Sequence, residues 1–471
     1  MYLYLRNKKQ RVLRMKMQYK YPKLALWLLF LVIPIFDYAS HMMGGDLTYQ
    51  CISGNTYRFR YVFYRDCSGI SAPGSVTMTI RSTSCGVNTS IVLNKKPGTG
   101  QEITPLCPTQ SSTCTGGSFP GAQEYVYEGT YTLPNQCSDW VFGVGINARN
   151  NGITTIQNPG SEDMYVQATL NNILAPCNSS PQFLNLPVPY VCVNQSYIYN
   201  NGTYDPDGDF VTYTLITPLT GTNSTVTYLS GFSATNPITS STGTTLSPSG
   251  DVSFTPTQPN QITVMAVKIE EYRNGQLIGS VIRDIQVIVR NCNNVLPALS
   301  GINGTNNYSI TVCPGQTVNF TINSSDPDPG QTLTMNWNNG IPTGSFSVAG
   351  QPPVGTFTWT PTYSDTGANV FTVTIKDDAC PIVGNRTYSY TINVQSNLQA
   401  NFTIPTPCLG SPATINVTPS GGQATLYYYM VWCCRLNRFR KFCYAYLSNS
   451  RDLYFSGFYY RWSRLPINKN W

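Results

Sequence analysis

The sequence predicts an all-β chain: tandem β-sandwich modules after an export leader, ending in a truncated or frameshifted tail. Three observations predict it. Asn, Thr, Ser, Gly, Pro and Tyr dominate the 471 residues and charged residues make up only 11%, a bias toward half-buried strands joined by tight turns. In TYRFRYVFYRD, Tyr57, Phe59, Tyr61 and Phe63 alternate with Arg58, Arg60, Val62 and Tyr64, the period-two signature of a strand with one buried face. A block of about 100 residues then recurs, rich in short alternating stretches and turn residues. The length leaves room for about three domains of roughly 100–200 residues.

Residues 1–40 read as a signal peptide. A basic leader (Lys8, Lys9, Arg11, Arg14, Lys16, Lys20, Lys23) precedes the apolar run Leu24–Phe36, with small residues at Ala39 and Ser40. That run is 13 residues long and interrupted by Pro34, too short for a span of about 20 residues but suited to an export signal. The expected location is therefore extracellular or on the outer cell surface, with no transmembrane span. The formal charge of +7 is carried by the ends. Residues 1–40 and 427–471 each hold eight bases and one acid, so the chain's 29 bases and 22 acids leave 13 and 20 between them, a net of −7. A mildly acidic body gives no footprint for nucleic acid.

Residues 41–177 form the first expected domain, a β-sandwich-like unit with further β-rich stretches at Val76–Ile80, Tyr125–Leu133, Trp140–Ile146 and Tyr165–Leu170. Twelve cysteines lie between Cys51 and Cys408 with no CxxC pair, which in an exported chain points to disulfides. Several of Cys51, Cys67, Cys85, Cys107, Cys114, Cys137 and Cys177 are expected to staple the first domain.

The repeat occupies 178–291 and 293–395. Val191-Cys192 matches Val312-Cys313, and Asp205-Pro206-Asp207 matches Asp326-Pro327-Asp328, both at an offset of 121 residues. Ser253–Pro256 parallels Thr358–Pro361, and each copy closes on an alternating strand, DIQVIV from Asp284 or SYTINV from Ser389. This is the profile of an immunoglobulin-like or cadherin-like sandwich. The similar order of cysteines suggests that Cys192 with Cys292, and Cys313 with Cys380, each close one copy. Residues 397–426 open a third module that stops early and leaves Cys408 without its partner. Residues 427–471 hold fifteen aromatic residues, eight bases and no threonine, so they read as an out-of-frame or disordered tail.

Calcium is the sharpest candidate for chemistry. Asp205, Asp207 and Asp209 in DPDGD place three carboxylates at alternate positions, and Asp326 and Asp328 repeat the idea with one acid fewer. Such spacing can surround a hard cation with oxygen, with further ligands expected from Glu270-Glu271 or Asp377-Asp378. The competing reading is a tight turn between strands. Phe254, Trp359 and the row from Tyr57 to Phe63 are expected in sandwich cores rather than against sugars. No catalytic residue is assigned. The one histidine is His41, so Ser-His-Asp, Cys-His and multi-histidine zinc sites are not available. A two-carboxylate glycosidase needs no histidine; its acids would be Glu124 or Glu128 with Glu162 or Asp163.

The start HMMGGDLTYQC with YRFRYVFYRDCSG, the repeats built on DPDGD and WTP, and the opening NFTIPTPCLGSPATINVTPSGG together resemble the N-terminal part of large gliding-motility-associated surface proteins of gliding bacteria. Those proteins string together cadherin-like and polycystic-kidney-disease-like modules. The resemblance covers about His41 to Gly422. It implies a non-catalytic surface adhesin or scaffold that meets an extracellular polymer, protein or polysaccharide, with calcium at module junctions. The alternative is a carbohydrate-binding module array once attached to an enzyme.

Overall fold

The structure, a computed structural model, describes residues 42–187 and 190–395, together with the backbones of Gln399–Thr403, Asn416–Ser420, Tyr427–Cys433, Phe442–Asn449 and Asp452–Ser456. The leader expected over 1–40 lies outside the described residues. Among those described, helix is limited to four 3-10 turns of three residues each. No described helix is long and apolar enough to cross a membrane. The chain is all-β.

Alternating aromatic residues make the first strands. In chain order these are β1 (Met42–Ser53), β2 (Thr56–Asp66), β3 (Ser75–Ser82), β4 (Val87–Lys95), β5 (Ala122–Thr132), β6 (Trp140–Ile146) and β7 (Met164–Leu170). Tyr57, Phe59, Tyr61 and Phe63 are each 2% exposed or less and pack with Tyr49, Trp140 and Phe142. Phe59 and Phe142 sit with ring centroids 4.7 Å apart. The strands pair antiparallel in the order β1-β2-β5-β4-β3-β6-β7, which leaves β1 and β7 as the two free edges. An exposed strand edge presents unpaired N–H and C=O groups and invites pairing.

A strand from the first repeat covers both edges. That repeat contributes β8 (Tyr190–Cys192), β9 (Tyr197–Asn200), β10 (Phe210–Ile216), β11 (Asp251–Phe254), β12 (Ile262–Arg273) and β13 (Gln276–Arg290). β12 and β13 form a hairpin whose two-residue turn, Asn274-Gly275, has φ of 54° and 76°, the left-handed pair that matches strand twist. One edge of β13 pairs with β12 along its length. The other edge takes three strands in succession. Gly279–Val281 pair with β7, Arg283–Ile285 with Asp46–Gly44 of β1, and Ile288–Arg290 run parallel to β8. The circuit from β1 round to β7 is thereby closed through β13.

Two buried ion pairs fix this register. Arg283 donates from Nε and Nη2 to Oδ2 of Asp46 at 3.0 and 2.8 Å, and from Nη1 to the Asn185 carbonyl and the Tyr199 hydroxyl. Its guanidinium lies 3.8 Å from the Phe183 ring centroid. The next residue, Asp284, accepts from Arg149 Nη1 and Nη2 at 3.1 and 2.6 Å. All four side chains are 3% exposed or less. Gly44 allows the approach: a Cβ there would stand 2.3 Å from the Asp284 carbonyl oxygen.

The second repeat has the same plan. Its strands are β14 (Ser309–Val312), β15 (Val318–Ser325), β16 (Thr334–Trp337), β17 (Ser345–Ala349), β18 (Val354–Trp359), β19 (Gly367–Lys376) and β20 (Asn385–Val394). One sheet runs β14-β20-β19-β16 with β14 parallel to β20, as β8-β13-β12-β10 runs in the first repeat. The opposing sheet, β15-β18-β17, corresponds to β9-β11 and the short strand Thr245–Leu246. Phe320, Phe357, Trp359, Phe371 and Tyr390 fill the core between the sheets. Phe254 of the first copy, 1% exposed, is likewise core.

Two expectations change. The boundary drawn between 41–177 and 178–291 falls within one body, because β13 is shared and a single apolar cluster runs from Met42 to Val289. Cys192 and Cys292 are joined, but Cys380 is joined to Cys107 and not to Cys313. The reason is strand order: Val312, beside Cys313, pairs with Val394 at the end of β20, whereas Cys380 precedes its start. Ten strand residues separate the two by about 30 Å. The first body carries Cys51–Cys177, Cys67–Cys114 and Cys85–Cys137. In the segments expected to open a third module and to form the tail, Gln399–Thr403 pairs with Asn416–Ser420, and Tyr427–Cys433, Phe442–Asn449 and Asp452–Ser456 form a three-stranded sheet.

Residues 41–177 expressed alone are expected not to fold, because the β1 and β7 edges and Asp46 lose their partners; a dispersed amide NMR spectrum from that fragment would contradict the shared sheet. In the full chain, Asp46→Ala leaves Arg283 as an unpaired buried cation and should destabilise by about 3–5 kcal/mol, read from urea unfolding.

Candidate cation sites at the module junctions

The two DPD motifs lie where one segment of the chain passes into the next. At the first, Asp205 Oδ1 accepts the backbone N–H groups of Asp207 and Asp209, each at 3.0 Å, which makes the turn. Turn formation therefore uses one oxygen of Asp205. The other, Oδ2, is buried with no hydrogen-bond partner. Carboxylate oxygens of Asp205, Asp207 and Asp209 all lie within 4.8 Å of one another. Asp207 Oδ2 accepts the Ser179 N–H at 2.6 Å, tying the cluster to the segment entering the repeat.

Strand β12 delivers a fourth acid. Glu271 has no exposed surface; its Oε1 accepts Asn178 Nδ2 at 2.8 Å, and its Oε2 has no partner. Burial, with Asp205 beside it, pushes the Glu271 carboxyl up to about 10. Burial and the Asp209 charge raise Asp205 to about 6. In both, burial is the larger cause, because a dry site disfavours the charged form. Arg273 answers part of the charge: Nε and Nη2 grip Asp209 at 2.8 and 2.5 Å, and Nη2 also donates to Asn178 Oδ1 at 2.7 Å. The donors are all oxygen: three aspartate carboxylates within mutual reach, with the Glu271 carboxyl and the Asn178 amide alongside. This set suits a hard cation such as calcium, which takes six to eight oxygens, better than a soft metal.

The second junction repeats the construction. Asp326 Oδ1 accepts the Asp328 N–H, Asp328 Oδ2 accepts the Val295 N–H, and Asn294 donates from Nδ2 to Asp377 Oδ2 at 2.7 Å. Asn294, Val295, Asp326, Asp328 and Asp377 thus stand where Asn178, Ser179, Asp205, Asp207 and Glu271 stand in the first. Here Asp326 Oδ2 is the buried oxygen without a partner. Burial, with Asp328 and Asp378 nearby, raises Asp326, and burial raises Asp377. Asp378 instead accepts the Thr332 N–H. Gln331 donates to Asn294 Oδ1 at 2.8 Å, the place Arg273 takes on Asn178.

Sequence reasoning found the aspartates and pointed to Glu271 and Asp377, and it missed Asn178, Asn294 and Arg273. The shared signal was present: each asparagine follows a cysteine by one or two residues, Cys177 or Cys292. Glu124 and Glu128, the acids weighed for a glycosidase, are engaged on the strand surface. Glu124 lies 3.9 Å from Arg60, and Glu128 is 3.1 Å from Lys96.

Beside the second junction, a loop of the first body is stapled to the second sandwich. Cys107 bonds Cys380, the Cys107 N–H donates to the Pro381 carbonyl at 3.1 Å, and the Val383 N–H donates to the Pro105 carbonyl at 3.0 Å. Arg386 adds a bond to the Ser196 carbonyl at 2.7 Å, and Ser389 one to Asn200 at 2.8 Å.

Residues 301–381 match the bacterial Ig domain family, which agrees with the two-sheet sandwich they form. No curated protein matches the chain. Solved structures with some similarity include the N-terminal four Ig domains of Dscam1, at 11% identity over 88% of this chain and 97% of that one, with a TM-score of 0.21. Human protocadherin-24 EC1-2 matches at 14% identity over 47% of this chain and 99% of that one, with a TM-score of 0.17. An endo-fucoidan hydrolase of glycoside hydrolase family 107 matches at 15% identity over 72% of this chain but 42% of its own length, also with a TM-score of 0.17. TM-scores this low do not define a common fold.

The double variant Cys107→Ser, Cys380→Ser should keep both cores, lose about 2–4 kcal/mol, and broaden the angle between the two bodies. Small-angle scattering would show this as a wider spread of maximum dimension; an unchanged profile would mean the hydrogen bonds suffice.

Proposed function

We propose that the chain is an exported, non-catalytic adhesin or scaffold of a cell surface, associated with gliding motility, whose modules present loops and strand edges to an extracellular protein or polysaccharide. The observation that carries this reading is the joining of the modules. β13 closes the first body, and a disulfide with two backbone hydrogen bonds fastens that body to the next sandwich. Construction of this kind suits a part that transmits force or holds spacing, and five disulfides among the described cysteines suit an oxidising exterior. Calcium at the two junction clusters would complete the stiffening: Asp205, Asp207, Asp209 and Glu271 hold it at the first, and Asp326, Asp328 and Asp377 at the second. The resemblance of the sequence motifs to gliding-associated surface proteins supports the biological setting.

A second reading, carbohydrate binding, draws on aromatic rings that stay outside the cores. Phe210 is 69% exposed beside Tyr272, and Tyr363 is 66% exposed. A glycan array separates the two. Saturable binding to a defined sugar that is lost in Phe210→Ala would favour the second reading; calcium-dependent adhesion to cells or matrix without sugar selectivity supports the first. Release of reducing ends from a polysaccharide would overturn both. For the cation, calcium at about 100 times its dissociation constant should stabilise the protein by about 2.7 kcal/mol. That gain should shrink in Glu271→Gln, as read from thermal unfolding with and without chelator.

A further inference from the structure

The two junction clusters differ in one respect that their shared construction does not require. The first holds four acids and an arginine; the second holds three acids at the equivalent places and a glutamine where the arginine side chain reaches. Arg273 is two residues beyond Glu271, at the end of β12 beside the Asn274-Gly275 turn. Its guanidinium occupies one lobe of the cluster, gripping Asp209 and Asn178 and standing 3.9 Å from Asp207. Asp205 Oδ2 and Glu271 Oε2 lie outside that grip, both buried and neither accepting from an N–H or hydroxyl group. Glu271 has no exposed surface and is held by its bond to Asn178, the amide that Arg273 also grips. The chain thus supplies its own cation to Asp209 and Asn178, and none to Asp205 Oδ2 or Glu271 Oε2.

We infer that Arg273 is a tethered counter-cation that sets how tightly the first junction takes a divalent cation: it neutralises Asp209, withholds that acid and Asn178 from the ion, and confines the ion to the lobe formed by Asp205, Glu271 and Asp207. This rests on the cation reading of the first junction and assigns its regulation. A fixed positive charge a few ångströms from the ion repels it, and Asp209 and Asn178 are donors the ion must share. The first junction then binds more weakly than its four acids would suggest. It also keeps part of its order when calcium is scarce, because the arginine still links Asn178 of the entering segment to Asp209 of the loop. The second junction, with Gln331 in that place, has no such internal cation.

Calcium chloride titration of the full-length wild type, Arg273→Gln, Arg273→Lys and Glu271→Gln by isothermal calorimetry tests this. Arg273 is 31% exposed in its side chain, so its replacement leaves the cores intact, and circular dichroism checks that each variant folds. The inference predicts that Arg273→Gln tightens one calcium site by about ten-fold or more, that Arg273→Lys keeps affinity near wild type because the charge is retained, and that Glu271→Gln weakens the same site. Unchanged or weaker binding in Arg273→Gln, with wild type binding and Glu271→Gln impaired, would overturn the role of Arg273 and leave the site standing. Tightening in both Arg273 variants would assign the effect to shape and overturn the charge argument. No site sensitive to Glu271→Gln in any variant would overturn the inference and the cation reading together.

Discussion

The structure depends on what pairs with the outer edge of β13. A β-strand edge carries an N–H and a C=O at every second residue, and leaving them buried and unpaired costs roughly a hydrogen bond apiece. β13 has fifteen residues and needs a continuous partner. In a single sandwich that edge would meet one strand, as β20 meets β14. Here it meets β7, β1 and β8 in turn. The same pairing removes the two open edges of the aromatic circuit. One strand thereby solves the edge problem of two modules, and Arg283 with Asp46, and Asp284 with Arg149, stop it from sliding. A shift of one residue would turn Arg283 and Asp284 to the opposite faces and leave all four charges without partners.

Strand pairing also builds the junctions. The pairing of β10 with β12 sets Phe210 opposite Tyr272 and Val211 opposite Glu271, so Glu271 lies beside the DPDGD turn that enters β10 and next to Asn178. The acids do not meet because a local motif folds around an ion; they meet because strand pairing within each sandwich sets their positions, at the second junction as at the first. At the second junction the long loop ending in Cys107 plays the corresponding role, bracing the linker and the Cys380–Val383 segment. Both junctions therefore combine backbone pairing with an acidic pocket that still has oxygen to spare.

Much of this was legible in the sequence. Period-two alternation identified β2 and its buried face, because Tyr57, Phe59, Tyr61 and Phe63 have nowhere to go but a core. The 121-residue offset identified two copies of one sandwich, since Val-Cys and Asp-Pro-Asp mark the same strand and the same turn in each. What alternation does not carry is the identity of a strand's neighbour: it reports faces, not edges. The sharing of β13 was invisible for that reason, although Arg283-Asp284 inside an otherwise apolar strand was a clue that this stretch meets partners outside its own sandwich. The Cys313–Cys380 expectation failed because cysteine order along the chain does not say on which side of the last strand each residue falls. Arg273 was passed over because an arginine beside a hairpin turn reads as a solvated charge.

Residue-resolved hydrogen exchange along β13 tests the central claim most directly. If β13 belongs to both modules, the amides of Val281 and Ile285 should exchange only with the global opening that also exposes Phe59 and Tyr61 in β2, at one common free energy. If the β12–β13 hairpin instead exchanges as its own less stable unit while β2 and β5 stay protected, the shared sheet does not hold the first body together and the central claim falls.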